Sequence, residues 1–204
     1  MLSQIQIIEK PDWVSWEEIK QCLGKAHSVN QKNGFNMVKC QWPIEKIRES
    51  IGKNGVMLVA LDGKKVVGTA AIGEKYGTKW YTKGRYAYMS LASVLPEYNG
   101  CGIYKNLIRQ REEIAKTHGY SVFLLDTHEM NKKIRNISES NGYYLVSLFR
   151  VYDHYNVMMA KWPAGCPYSK FYCQFRFYLS WVDAHLRTWL YKPYCIVKKI
   201  MRRN

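Results

Sequence analysis

The chain is short of acidic residues. Its 204 residues carry 31 Lys and Arg against 16 Asp and Glu, a formal charge of +15. Such a surplus favours anionic partners: phosphates, acidic surfaces or nucleic acid. Long apolar runs are missing too, since none approaches the roughly 18 residues that a membrane-spanning helix needs. The opening Met1-Leu2-Ser3-Gln4 has neither a basic n-region nor an apolar h-region, so it does not read as a secretory signal. The six cysteines (Cys22, Cys40, Cys101, Cys166, Cys173, Cys195) form no C-x-x-C and have no His at zinc-ligand spacing. No metal site is expected, and a disulfide framework belongs to shorter secreted chains. Reduced thiols in a cytoplasmic protein are the expectation. Two common phosphate signatures are also absent, the Walker loop G-x-x-x-x-G-K-[ST] and the dinucleotide fingerprint G-x-G-x-x-G.

What is present begins with punctuation. Ser15-Trp16-Glu17-Glu18 has capping-box spacing and starts a helix to about His27. Ser28 to Trp42 shows no period and reads as a long loop, and Pro43 suits the start of a second helix ending near Gly52. Val56 to Leu61 and Lys65 to Ile72 flank Asp62-Gly63, a hairpin turn. Gly73 to Gly84 reads as a polar turn carrying Trp80 and Tyr81, and Arg85 to Val94 as a third strand. A helix from Gly102 places Ile103, Leu107, Ile108, Ile114 and Ala115 along one stripe and ends at Gly119. Ser121 to Leu125, Leu145 to Tyr152 and Asn156 to Trp162 read as further strands. The order is strand, two helices, three strands, helix, strand, helix, two strands. That predicts an α/β fold with a mixed, largely antiparallel sheet flanked by helices.

The chemistry concentrates in Val94-Leu95-Pro96-Glu97-Tyr98-Asn99-Gly100-Cys101-Gly102-Ile103-Tyr104, a turn that feeds a strand into a helix. Pro96 stops the strand ladder for want of an N–H, and Gly100 and Gly102 let the backbone bend close to a ligand. Unpaired N–H groups at the positive end of the helix dipole are suited to phosphate oxygens.

With the helix that follows, V-x-P-E-Y-x-G-x-G-I resembles the acyl-CoA pyrophosphate loop of the GNAT superfamily of N-acyltransferases, Q/R-x-x-G-x-G/A. Asn99 stands where that family has Arg or Gln, and Tyr104 where it has Gly or Ala. Downstream, Asn131 to Tyr143 resembles the family's N-x-x-A-x-x-x-Y-x-x-x-G-F helix, with Ser138 in place of its Tyr and Gly142-Tyr143 at Gly-Phe. The resemblance covers residues 1–161, taken as an acetyltransferase domain, and 162–204 is an extension.

The resemblance implies transfer of an acetyl group from acetyl-CoA to an amine, of a small molecule or a protein. It places the diphosphate on Asn99, Gly100, Cys101, Gly102, Ile103 and Tyr104, with Lys105 or Lys132 adding charge. It sets the pantetheine arm against the main chain of Ala92-Ser93-Val94, where a bulge splays two strands and offers an amide to the thioester oxygen. Asn131 would contact the pantetheine, or serve as a helix N-cap. Ser138 is a weak acid for the departing thiolate; Tyr143, Tyr144 or Tyr98 are substitutes. Candidate bases are Glu97, Asp126, His128 or a water. Cys101 reads as a tolerated small residue. The acceptor is expected between Ser28 to Trp42, Gly73 to Gly84 and the last two strands, lined by Trp42, Trp80 and Tyr81. A non-catalytic module of the same fold, binding CoA or a partner, is the alternative.

The extension holds 8 Lys/Arg and a single acidic residue, Asp183. Phe171, Phe175, Tyr178, Val182, Leu186 and Trp189 follow steps of three and four, an apolar helical stripe. Three readings are open: a helix docked by that stripe on its own domain or on a twin subunit, a helix lying on an anionic membrane, or nucleic-acid binding without a known motif.

Overall fold

The computed structural model describes residues 5–32, 41–152 and 154–201. In chain order the elements are β1 (Gln6–Glu9), α1 (Trp16–Lys32), α2 (Ile44–Ile51), β2 (Val56–Asp62), β3 (Lys65–Gly77), β4 (Gly84–Val94), α3 (Ile103–Thr117), β5 (Phe123–His128), α4 (Lys132–Ser140), β6 (Tyr144–Val151), β7 (His154–Lys161) and α5 (Lys170–Met201). Seven strands form a mostly antiparallel sheet in the order β1-β2-β3-β4-β5-β7-β6. The chain divides into two compact units, Met1–Leu125 and Asp126–Asn204.

In the first unit the capping box forms in full. Glu18 N donates to Ser15 Oγ at 3.2 Å, and Ser15 N donates to Glu18 Oε2 at 2.8 Å. The helix it starts runs on to Lys32, five residues past the expected end at His27. Ser28 allows this because its hydroxyl donates back to Lys25 O at 2.8 Å, inside the helix. The rest of the expected loop, 33–40, lies outside the described residues. β3 likewise runs to Gly77 instead of turning at Gly73. The long partner β4 extends the ladder through Glu74↔Ala87 and Lys75↔Tyr86, and polar side chains suit the exposed end of that ribbon. Val14 just ahead of α1, Ile19 and Leu23 of α1, Ile47 and Ile51 of α2, and Leu107 of α3 join β2 and β3 in one core. Burial of this kind contributes on the order of 25 cal/mol per Å² of apolar surface and is what fixes the sheet beneath the loop.

In the second unit β6 and β7 form an antiparallel hairpin. α5 packs along β6, the last strand in the sheet order, and covers it. Leu148 N donates to Ser180 Oγ at 2.8 Å, so the helix satisfies an edge amide of the strand. Tyr155 OH lies 2.6 Å from Thr188 Oγ1. The docked face is therefore Cys173, Phe177, Ser180, Ala184 and Thr188, mostly small or hydroxylated. The aromatic stripe, which one of the three open readings docks on its own domain, is on the opposite side, because small residues let a helix approach a strand edge closely. No helix among the described residues is long and apolar enough to cross a membrane.

Candidate functional site

The site starts at a defect in β4. Leu91 has φ +52°, a backbone conformation disfavoured for a branched residue, and the β3–β4 register slips between Thr69 and Ala71. Two hydrogen bonds hold this bulge: Thr69 Oγ1 donates to Leu91 O at 2.8 Å and lies 2.8 Å from Ser93 Oγ. Ser93 also bonds the Cys22 thiol of α1, whose burial pushes it up to about 11. Before the bulge, Ala87 N donates to Val122 O at 3.0 Å; after it, Leu95 N donates to Val67 O at 2.9 Å. Odd-numbered residues thus face β5 before the bulge and β3 after it. The alternation turns the main chain of Ala92 and Val94 away from β3 and commits Ser93 to Thr69. β4 pairs with β5 only at Ala87↔Phe123 and Tyr88↔Leu124, and then continues six residues further to Val94.

The loop follows directly. Pro96–Tyr98 makes one 3-10 turn, and Tyr98 OH donates to Asp62 Oδ2 at 2.7 Å, tying the loop to the β2–β3 hairpin. Gly100 and Gly102 have φ +85° and +74°, and at neither would a Cβ meet an atom within 4 Å. Gly102 is the N-cap of α3, with no side chain capping the helix. Cys101 N donates to Tyr98 O at 3.4 Å, and the first intrahelical bond is Asn106 N to Gly102 O at 3.0 Å, so the amides of Gly102, Ile103 and Tyr104 are left for an outside acceptor. Ile103 anchors the turn in the core, and burial raises the Tyr104 phenol, Arg111 opposing. Cys101 is exposed, and Asn99 N donates to Pro96 O at 3.1 Å. These residues and the open strand edge fit a diphosphate with an extended arm.

Glu97 is exposed and paired with Lys65 at 3.4 Å. A backbone hydrogen bond at Glu97 itself, and then Lys65, hold its carboxyl below the usual range, which weakens it as a base.

The second unit holds the other candidates. His128 Nδ1 accepts from Met130 N at 3.1 Å, so the neutral ring carries its proton on Nε2. His154 stacks on it with centroids 4.7 Å apart, and Asn156 Nδ2 donates to Asp126 Oδ2 at 2.7 Å beside them. Asn131 caps α4, its Oδ1 accepting from Ile134 N at 3.2 Å. Ser138 and Tyr143 are both buried, and Tyr143 N donates to Ser138 O at 3.0 Å. Lys161 sits over the Tyr143 ring at 5.6 Å. Of the expected acceptor lining, Tyr81 is buried and Trp42 lies under Lys46 at 4.7 Å.

Sequence reasoning missed Leu91, Thr69 and Cys22. A leucine gives no sign of a positive φ, and a threonine on an apolar strand reads as filler. It also missed Arg111, fully buried on α3, whose Nη1 donates to Ser90 O at 3.4 Å.

A sequence profile of the acetyltransferase (GNAT) family matches residues 16–143. No curated protein sequence matches the chain. Among solved structures, an acetyltransferase from Streptococcus agalactiae is 18% identical with a TM-score of 0.61, covering 78% of this chain and 98% of that one. The PaiA N-acetyltransferase of Thermoplasma acidophilum, in complex with coenzyme A, is 16% identical at TM-score 0.57, covering 78% and 99%. The ribosomal-protein-S18-alanine N-acetyltransferase of Escherichia coli is 15% identical at TM-score 0.59, covering 81% and 99%. At such identities these likenesses speak for the fold.

Proposed function

We propose that this chain, which belongs to the GNAT acetyltransferase family, transfers an acetyl group from acetyl-CoA to an amine of a small molecule or protein. One observation carries the reading: an uncapped α3 N-terminus, turned by two left-handed glycines, stands directly after a strand whose edge is freed by a bulge. The acetyl donor supplies an activated thioester. The chain supplies amides of Gly100 and of Gly102 to Tyr104 for the diphosphate, with Asn99 adding a side-chain amide where the family has Arg or Gln. Main-chain groups of Ala92 and Val94 take the pantetheine arm, and Ser93 holds the bulge from behind.

For proton transfer we assign His128 in preference to Glu97, Ser138 and Tyr143. With Nδ1 accepting from Met130 N, its Nε2 carries a proton it can donate, whereas Glu97 is stabilised as a carboxylate and the other two are buried. Asn131 is assigned the capping role, which orients α4. The domain is assigned to residues 1–161 and the extension to 162–204, in a cytoplasmic protein.

The experiment is thiol release from acetyl-CoA over a broad panel of amines, with CoA binding by calorimetry. Turnover on one amine class supports the enzyme. Tight binding with no release leaves the non-catalytic module, a reading that the burial of Ser138 favours. CoA binding unchanged by Gly102→Pro removes the cofactor claim itself.

A further inference from the structure

We propose that the outward face of α5 attaches this protein peripherally to an anionic lipid bilayer, an inference that stands apart from the acetyltransferase reading. Of the 13 exposed large hydrophobic residues among those described, Phe171, Tyr172, Phe175, Tyr178, Leu179, Trp181, Leu186 and Trp189 lie on this one helix. Phe171 is 76% exposed, Tyr178 60% and Trp189 70%, although scattered single residues are the rule on a protein surface. At 3.6 residues per turn, Phe171, Phe175, Tyr178, Val182, Leu186 and Trp189 span only about 80° of the helix circumference. Their centre lies roughly opposite the docked face of Ser180 and Ala184. The stripe is therefore left over after α5 has met its strand.

Its chemistry selects the occupant. Tyr and Trp rings are apolar bodies with a polar tip, suited to the headgroup boundary. The segment from 162 onward carries 8 basic residues and one acid, and that acid, Asp183, is already bound by Arg187 at 2.9 Å. A second copy would bring the same net positive charge of this segment and be repelled by it. Anionic headgroups are attracted, at about 1 kcal/mol per basic residue near the surface. The helix lies along the interface, since no helix of the described residues can span one.

The test uses the full chain and vesicles of phosphatidylcholine, alone or with about one third phosphatidylglycerol, in sedimentation at low and high salt. Expected is binding to the anionic vesicles that weakens at least about tenfold in neutral vesicles and again in high salt. A triple variant, Phe171→Ser, Phe175→Ser, Trp189→Ser, is expected to lower binding by at least about tenfold and to keep the fold, because all three side chains are exposed. No sedimentation with anionic vesicles overturns the proposal. So does binding untouched by the triple variant, or a dimer in analytical ultracentrifugation that the same variant dissolves.

Discussion

Thr69→Val isolates the device that shapes β4. The substitution is nearly isosteric and removes only a hydroxyl at a fully buried position. Two bonds go with it, to Leu91 O and to Ser93 Oγ, each 2.8 Å. Ser93 keeps its Cys22 partner. Leu91 O loses its only side-chain partner, and a buried carbonyl left without one costs about 1–3 kcal/mol. The bulge is also the place where a leucine is held at φ +52°, a strain of about 1 kcal/mol that only surrounding contacts maintain. Loosening it relieves part of that strain. A net loss of about 2 kcal/mol follows, or roughly 4–8 °C in Tm for a chain of this size. Urea melts measure the stability, and calorimetry with CoA measures the site. Affinity should fall as well, because the alternation that turns Ala92 and Val94 outward depends on the extra residue in β4. Thr69→Ser is the control, retaining the hydroxyl and with it the CoA affinity. If Thr69→Val melts within about 0.5 kcal/mol of the parent and binds CoA equally well, the bulge is not held by this hydroxyl and the reasoning fails.

Gly102→Ala tests the loop: no atom lies within 4 Å of the new Cβ, so only the left-handed backbone resists, at about 1 kcal/mol. CoA binding should weaken more than the melt does, and equal retention of both would refute the amide cradle. Cys22 predicts an alkaline limb, because burial raises its thiol from 9.0 to about 11. The folded state holds the proton more tightly, so this stability is complete below pH 9 and is lost as pH rises towards about 11. The loss amounts to about 2 kcal/mol. Urea melts between pH 8 and 11 should fall more steeply in the parent than in Cys22→Ala, which keeps only the slope of the raised tyrosines such as Tyr104 and Tyr120 and of Cys173; parallel curves would refute it.

Local chemistry was legible in the residues alone. The Ser15–Glu18 box, the Asp62-Gly63 turn, the order of elements and the glycine turn before α3 each depend on neighbours within a few positions, so pattern suffices. Asn131 as an N-cap follows from the same logic. Tertiary structure decided what depends on partners far along the chain. Thr69 meets Leu91 across 22 residues, and only that pairing makes an unremarkable leucine the pivot of the strand edge. The second decision concerns α5. Its periodicity named an apolar stripe but not which side would dock, because period fixes the faces of a helix and not their fates. The edge of β6 offers an amide and little room, so it took the face with Ser180 and Ala184 and left the aromatic one to solvent. Hydrophobicity chose the stripe, and steric approach to a strand edge chose the interface.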